Sequence, residues 1–147
     1  MFVYLAHHGD SVHPGIDPQR PLSRLGRGQV DTLSSWAAAR AVRPDVVWHS
    51  GKLRARQTAE AYWRACNPLA EFSAARWMQP DDPLRLADQL QHETRDVMLV
   101  GHMPHLDRLL GRLLDDDMRT ASFPLNGLVA VEHTGTRWVE RWRLSAP

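Results

Sequence analysis

Phe2-Val3-Tyr4-Leu5-Ala6-His7-His8-Gly9 decides how this sequence is read: a five-residue run of buried-strand composition leads directly into two histidines and a glycine. A short apolar run bounded by turn residues fits a strand buried on both faces, where a half-exposed strand would alternate polar with apolar positions. The proline- and aspartate-containing stretch from Ser11 to Pro21 that follows reads as a loop. The plan then repeats twice. Asp45-Val46-Val47-Trp48 ends in His49-Ser50-Gly51, and Val97-Met98-Leu99-Val100 ends in Gly101-His102.

Helical patterns separate these runs. One starts near Ser23, a plausible N-cap, places Val30, Leu33, Ala37 and Ala41 on a common face, and stops at Arg43-Pro44. A second carries Ala55, Ala59, Tyr62 and Cys66 on one face and ends at Asn67-Pro68. Residues 69–82 fit neither period, and Asp82-Pro83 reads as N-cap and first turn of a short helix presenting Leu86, Ala87 and Leu90. Met103 to Leu114 forms a further helix with Leu106, Leu109, Leu110 and Leu113 inward. Leu128–Glu132 and Arg137–Leu144 close the pattern as a hairpin through Thr134-Gly135, with Trp138 and Trp142 read as sheet packing rather than a base-stacking platform.

Strands alternating with helices imply an α/β three-layer sandwich: a mostly parallel sheet, helices on both faces, and a C-terminal antiparallel hairpin. The 147 residues are within the size of one domain, so residues 1–147 are expected to form a single one. An apolar share of 43%, a charged share of 24% and a net charge of +1 exclude disordered, collagen-like and coiled-coil classes and give no electrostatic case for nucleic acid. The single cysteine, Cys66, excludes an internal disulfide framework and thiolate metal sites and fits a reducing compartment. The N-terminal apolar run is too short for a signal-peptide core or a membrane span, so a cytoplasmic address and no membrane partner are expected.

In open α/β sheets ligands bind beyond the carboxyl ends of the strands, where three of these runs place histidines. A neutral imidazole held just after a strand is a competent nucleophile toward phosphorus, and His8 and His102 meet that description. Phosphoryl transfer otherwise needs cations for the equatorial oxygens, and Arg54 opens a helix whose N-terminus adds its own positive end. Taken singly, His8 reads as a loop or core histidine and Arg54 as a solvated helix residue; their combination at successive strand ends reverses this. His102 and His105 do not read as a metal pair, because Pro104 interrupts the helical spacing that such ligands need. His13 and His49 read as loop and strand-end residues.

Three segments carry a resemblance to a known family. Leu5-Ala6-His7-His8-Gly9-Asp10 resembles the Arg-His-Gly signature of the histidine phosphatase superfamily, with histidine in its first position. His49-Ser50-Gly51-Lys52-Leu53-Arg54-Ala55-Arg56-Gln57-Thr58-Ala59-Glu60 resembles its second phosphate-binding segment, and Val100-Gly101-His102-Met103-Pro104 its second-histidine segment. With Arg20-Pro21-Leu22-Ser23 and the short length, the chain is similar to the SixA-type phosphohistidine phosphatases, whose fold is phosphoglycerate mutase-like.

The resemblance implies that His8 is the nucleophile that becomes transiently phosphorylated, and that Arg54 and His102 bind the phosphoryl oxygens. Arg20 would be an additional ligand, and Lys52 a compensating cation. His7 stands where the signature has an arginine, which weakens the phosphate pocket or makes it pH-dependent. Asp81 is the expected general acid, since Asp82 is accounted for as a helix cap. The implied activity is a phosphatase without metal or cofactor, acting on phosphohistidine in a partner protein. The alternatives are a phosphatase of small phosphate esters and a catalytically weak phosphate-binding module; the oligomeric state is left open.

Overall fold

The computed structural model describes residues 1–116 and 122–147. Its elements follow in the order β1 (Phe2–His7), α1 (Arg24–Ala39), β2 (Val46–His49), α2 (Leu53–Cys66), β3 (Glu71–Ala74), α3 (Arg85–Gln91), β4 (Val97–Gly101), α4 (His105–Leu114), β5 (Leu128–His133) and β6 (Trp138–Leu144). The strands form one sheet in the order β3-β2-β4-β1-β5-β6. β1 to β4 run parallel, while β5 pairs antiparallel with both β1 and β6. The expected mixed α/β architecture is therefore the one observed.

The alternation of side chains along β1 divides the core in two. Tyr4 and Ala6 point into a cluster with Leu33, Ala37, Ala55, Ala59 and Tyr62, so α1 and α2 cover that face. Val3 and Leu5 point the other way, into a cluster with Leu86, Leu90, Leu106, Leu109 and Leu110 from α3 and α4. Fully burying a leucine such as Leu109 stabilises the fold by about 1.5–3 kcal/mol, which is why helices with unremarkable propensities hold their places.

Five local expectations change. α1 ends at Ala39 rather than beyond Ala41, which takes a left-handed conformation (φ 61) after the Arg40 cap. Residues 69–82 contain a strand: Glu71–Ala74 pairs in parallel with β2 at the sheet edge, where three of its four side chains are exposed and no apolar period forms. Asp82 does not cap α3. Leu84 occupies that position, and the Asp82 carboxylate instead accepts the Gln79 backbone N–H at 2.9 Å, closing the preceding turn. α4 begins at His105, with Pro104 as its N-cap, two residues later than expected. In the hairpin, the pairings Ala130–Trp142 and Val131–Glu140 leave Arg141 as an extra residue. This bulge sends Trp142 against the α1/α2 core and Trp138 against the other, although their spacing alone puts both on one face.

Two glycines let α1 approach the end of β1. A Cβ on Gly26 would lie 2.1 Å from the Asp10 carbonyl oxygen, and one on Gly9 would lie 2.6 Å from Val30. Ser23 caps α1 as expected, accepting the Gly26 N–H at 3.0 Å, and donates from its hydroxyl to the Asp10 carboxylate at 2.6 Å. No helix among the described residues is long and apolar enough to cross a membrane.

Candidate active site

Parallel pairing of β1, β4 and β2 brings the sequence-distant ends His7-His8, Gly101-His102 and His49-Ser50 to one edge of the sheet. The site begins where β1 and β4 lie side by side. The His8 and His102 rings stand 5.0 Å apart, centroid to centroid, and the His7 ring lies 4.4 Å from that of His8.

Backbone contacts settle the orientation of His8. Its N–H donates to the Gly101 carbonyl at 3.1 Å, and its Nδ1 donates to the Gly9 carbonyl at 2.7 Å. A carbonyl can only accept, so Nδ1 carries the proton and the Nε2 lone pair is left for chemistry. Burial pushes the His8 pKa down to about 4; the Gly9 hydrogen bond is the next-largest influence and opposes it, and the Arg54, Arg20 and Lys52 charges add to the lowering. The ring is therefore neutral at pH 7.

His7 takes the opposite tautomer. Its Nδ1 accepts the Asn126 backbone N–H at 2.8 Å, so the proton of the neutral ring belongs on Nε2. Burial and the His8 and Arg54 charges lower its pKa to about 3. The signature's arginine is thus replaced by a neutral N–H donor rather than by a titrating cation. His102 is nearly fully buried, its Nε2 lies 2.6 Å from the Ser50 hydroxyl, and burial with the surrounding positive groups pushes its pKa down to about 3.

Around the histidines the charges share one sign. Arg54, Arg20 and Lys52 act on His8, and no carboxylate is among the groups that shift His7, His8 or His102. Arg54 follows directly on the first residue of α2, a helix whose N-cap, Lys52, makes no side-chain capping bond. Its Nε is buried with no hydrogen-bond partner among the described residues, and burial together with Arg20 lowers its pKa. Arg20, held in a left-handed conformation (φ 49), is anchored through Nη2 to the Ser11 hydroxyl at 2.8 Å and through Nε to the Val12 carbonyl at 3.2 Å. Cations gathered in this way make a site suited to an anion.

Asp81 is exposed on the turn before α3 and is not among the groups that shift the three histidines. His13 lies on an exposed loop, and His49 is a buried strand-end residue whose Nδ1 accepts the Gly51 N–H at 3.0 Å. Among the described residues no group of three or more His, Cys, Asp or Glu side chains is placed to hold a metal ion. Three residues with no assigned role in the sequence complete the site. Thr58 accepts the Gly9 N–H at 3.0 Å while donating to the Arg54 carbonyl at 2.8 Å, so it ties the His8 loop to α2. Asn126 donates from Nδ2 to the His8 carbonyl at 2.8 Å, and Gln79 donates from Nε2 to the Ser50 carbonyl at 2.8 Å. None of these has a local signal, because each acts across a long sequence separation. A larger cavity of about 800 Å³, bordered by Arg112, His133 and Trp138, lies at the opposite end of the sheet and receives none of these groups.

Fold and site together define an α/β protein with a histidine pair beside arginines at the carboxyl edge of its sheet. No protein-family model and no curated protein matches the chain, but solved structures do. A protein of Agrobacterium tumefaciens named as the phosphohistidine phosphatase SixA is 30% identical, with 99% of this chain and 97% of that one covered and a TM-score of 0.81. A protein histidine phosphatase SixA complexed with tungstate shares the fold at 22% identity and a TM-score of 0.85, over 99% and 97% of the two chains. A mycobacterial glucosyl-3-phosphoglycerate phosphatase does so at 15% identity and 0.73, over 99% of both. The chain belongs to the histidine phosphatase superfamily and groups with its SixA-type members.

Proposed function

We propose that this protein is a phosphatase that works through a phosphorylated His8 and removes phosphate from phosphohistidine on a protein. The observation that carries the reading is the fixed tautomer of His8: Nδ1–H is committed to the Gly9 carbonyl, which leaves the Nε2 lone pair free on a ring that Arg54, Arg20 and Lys52 act upon. In the first step the Nε2 lone pair attacks phosphorus and the bond to the leaving imidazole nitrogen breaks. Arg54, Arg20 and His102 stabilise the equatorial oxygens, with Lys52 adding charge and His7 a neutral N–H. In the second step a water oxygen attacks the phosphorus of phosphohistidine-8, the N–P bond breaks, and the water proton leaves with phosphate or solvent. His8 returns neutral.

No described carboxylate acts on His7, His8 or His102, and this bears on the substrate. An alkoxide leaving group needs a proton delivered in the transition state, whereas the imidazole of phosphohistidine takes one from solvent beforehand. The site therefore favours P–N over P–O cleavage, and Asp81 contributes little as an acid.

Brief mixing with a labelled phosphodonor is expected to give a protein-bound phosphate that is acid-labile and alkali-stable, absent together with turnover in His8→Ala. A protein that binds phosphate yet forms no such adduct would be a binding module. On substrate, kcat/KM is expected to be higher for a phosphohistidine peptide than for alkyl phosphates and to change little in Asp81→Asn. Preference for the esters, with a large loss in that variant, would identify a conventional ester phosphatase.

A further inference from the structure

Among the described residues, five non-glycine residues have positive φ: Arg20, Ala41, Trp77, Asp115 and Asn126. Ala41 and Asp115 follow helix ends, where a left-handed residue is the ordinary way to stop. Arg20 and Asn126 belong to the candidate active site. Trp77 (φ 67) has neither explanation, and a bulky aromatic is among the residues least suited to that region. Backbone strain of this kind gathers where a side chain must be displayed for function.

Trp77 lies on the loop that leaves β3. Since β3 runs parallel to β2, this loop emerges at the same edge as the histidines. The loop is tied to the site twice, by the Ala75 N–H donating to the His49 carbonyl at 2.9 Å and by Gln79 donating to Ser50, whose hydroxyl meets His102. Although its indole is an apolar group, Trp77 remains 38% exposed, and with Ala75, Arg76, Gln79 and Asp82 it lines a recess of about 340 Å³. The Arg85 guanidinium lies 4.7 Å from the ring centroid and supports it from one side. Among the described residues, neither Arg76 nor Arg85 has an ion-pair partner. An exposed tryptophan flanked by unpaired arginines is the composition of a protein-binding hot spot.

We propose that the Trp77 loop is a docking surface for the protein segment next to the phosphorylated residue of the substrate. It takes an apolar side chain in the recess beside Trp77 and a carboxylate at Arg76. Asp81 is exposed on the same turn and Asp82 borders the recess, so the surface selects an apolar residue beside a single carboxylate rather than acidic sequence in bulk. The proposal rests on the phosphohistidine-phosphatase reading above and adds how a protein substrate is held. The hydrogen bond from Gln79 to Ser50 makes the docking surface continuous with the phosphoryl site.

Trp77→Gly removes the indole and relieves the backbone at once, so its thermal midpoint is expected to equal or exceed that of the parent. Three phosphodonors separate the roles: a phosphohistidine peptide with Leu and Glu beside the phosphorylated residue, its Ser/Lys counterpart, and phosphoramidate. The parent is expected to prefer the Leu/Glu peptide by about tenfold in kcat/KM, mainly through KM. Trp77→Gly and Arg76→Gln lose most of that preference and leave phosphoramidate turnover unchanged. Binding of the unphosphorylated Leu/Glu peptide, followed by tryptophan fluorescence and by calorimetry, is lost in Trp77→Gly. An unchanged preference in Trp77→Gly, or an equal loss on phosphoramidate, overturns the docking surface while leaving the chemistry of His8 intact. Absence of His8 labelling in the parent removes the underlying reading instead, and peptide binding still measures the surface.

Discussion

At the scale of single residues, the site depends on which ring nitrogen holds a proton. His8 donates through Nδ1 to a carbonyl, and His7 accepts at Nδ1 from an N–H, so adjacent imidazoles are held in opposite tautomers. Nitrogen-15 chemical shifts at pH 7 are expected to report Nδ1–H for His8 and Nε2–H for His7, with both rings still neutral at pH 5.5. Titration of either ring near its ordinary value of 6.5 in the anion-free protein would contradict the buried environment described here. The sequence shows that the signature arginine is a histidine. It does not show that this histidine is neutral, because the cause is burial and a hydrogen bond from Asn126, 119 positions away.

At the scale of elements, the end of β1 and the start of α2 form one unit joined by Thr58. Its hydroxyl accepts from Gly9, whose own carbonyl orients His8, and donates to the carbonyl of Arg54. Thr58→Val keeps the volume and removes both bonds, leaving the buried Gly9 N–H without a partner at a cost of about 1–3 kcal/mol. The expected result is a lower denaturation midpoint together with a reduced turnover number, because the carbonyl that fixes the His8 tautomer loses its support. A stability loss with unchanged turnover would show that Gly9 is held adequately by α1 alone. The edge strand β3 teaches a related lesson. Its exposed side chains leave no period for a sequence reading, yet it launches the loop carrying Trp77 and Gln79.

For the whole molecule, the three histidines of the site couple stability to pH, and the lowered pKa values of His49 and His105 act in the same direction. In the folded protein the pKa values of His7, His8 and His102 are lowered to about 3, 4 and 3, whereas the unfolded chain takes up these protons near the ordinary 6.5. Between those limits the unfolded state binds more protons, so stability is complete above about pH 6.5 and declines as the pH falls toward 4. By pH 5 the loss is on the order of 1–2 kcal/mol per histidine, which over the three together lowers the thermal midpoint by roughly ten degrees or more. A calorimetric midpoint that stays level from pH 7 to pH 5 would show that the pocket is more solvated than its burial implies. Inorganic phosphate is expected to raise the midpoint throughout, since it binds the folded cluster and not the unfolded chain.

The sequence by itself determined the layers and the strand-end histidines. Buried runs such as Val97–Val100 and the helical faces of Leu33 and Leu109 are local patterns, written in periods of two and 3.6 residues that survive without tertiary context. It also placed His8, Arg54 and His102 at successive strand ends. What only the tertiary structure decided is how these groups meet. Strand order puts β4 beside β1, which sets His102 5.0 Å from His8, and contacts across the chain assign the tautomers and move Asp82 from helix cap to turn closure. The hairpin faces and the displayed Trp77 belong to the same class, because a bulge and a left-handed residue each depend on neighbours that no local period records. Periodicity is a property of adjacent residues, whereas protonation and display are set by whatever the fold brings alongside them.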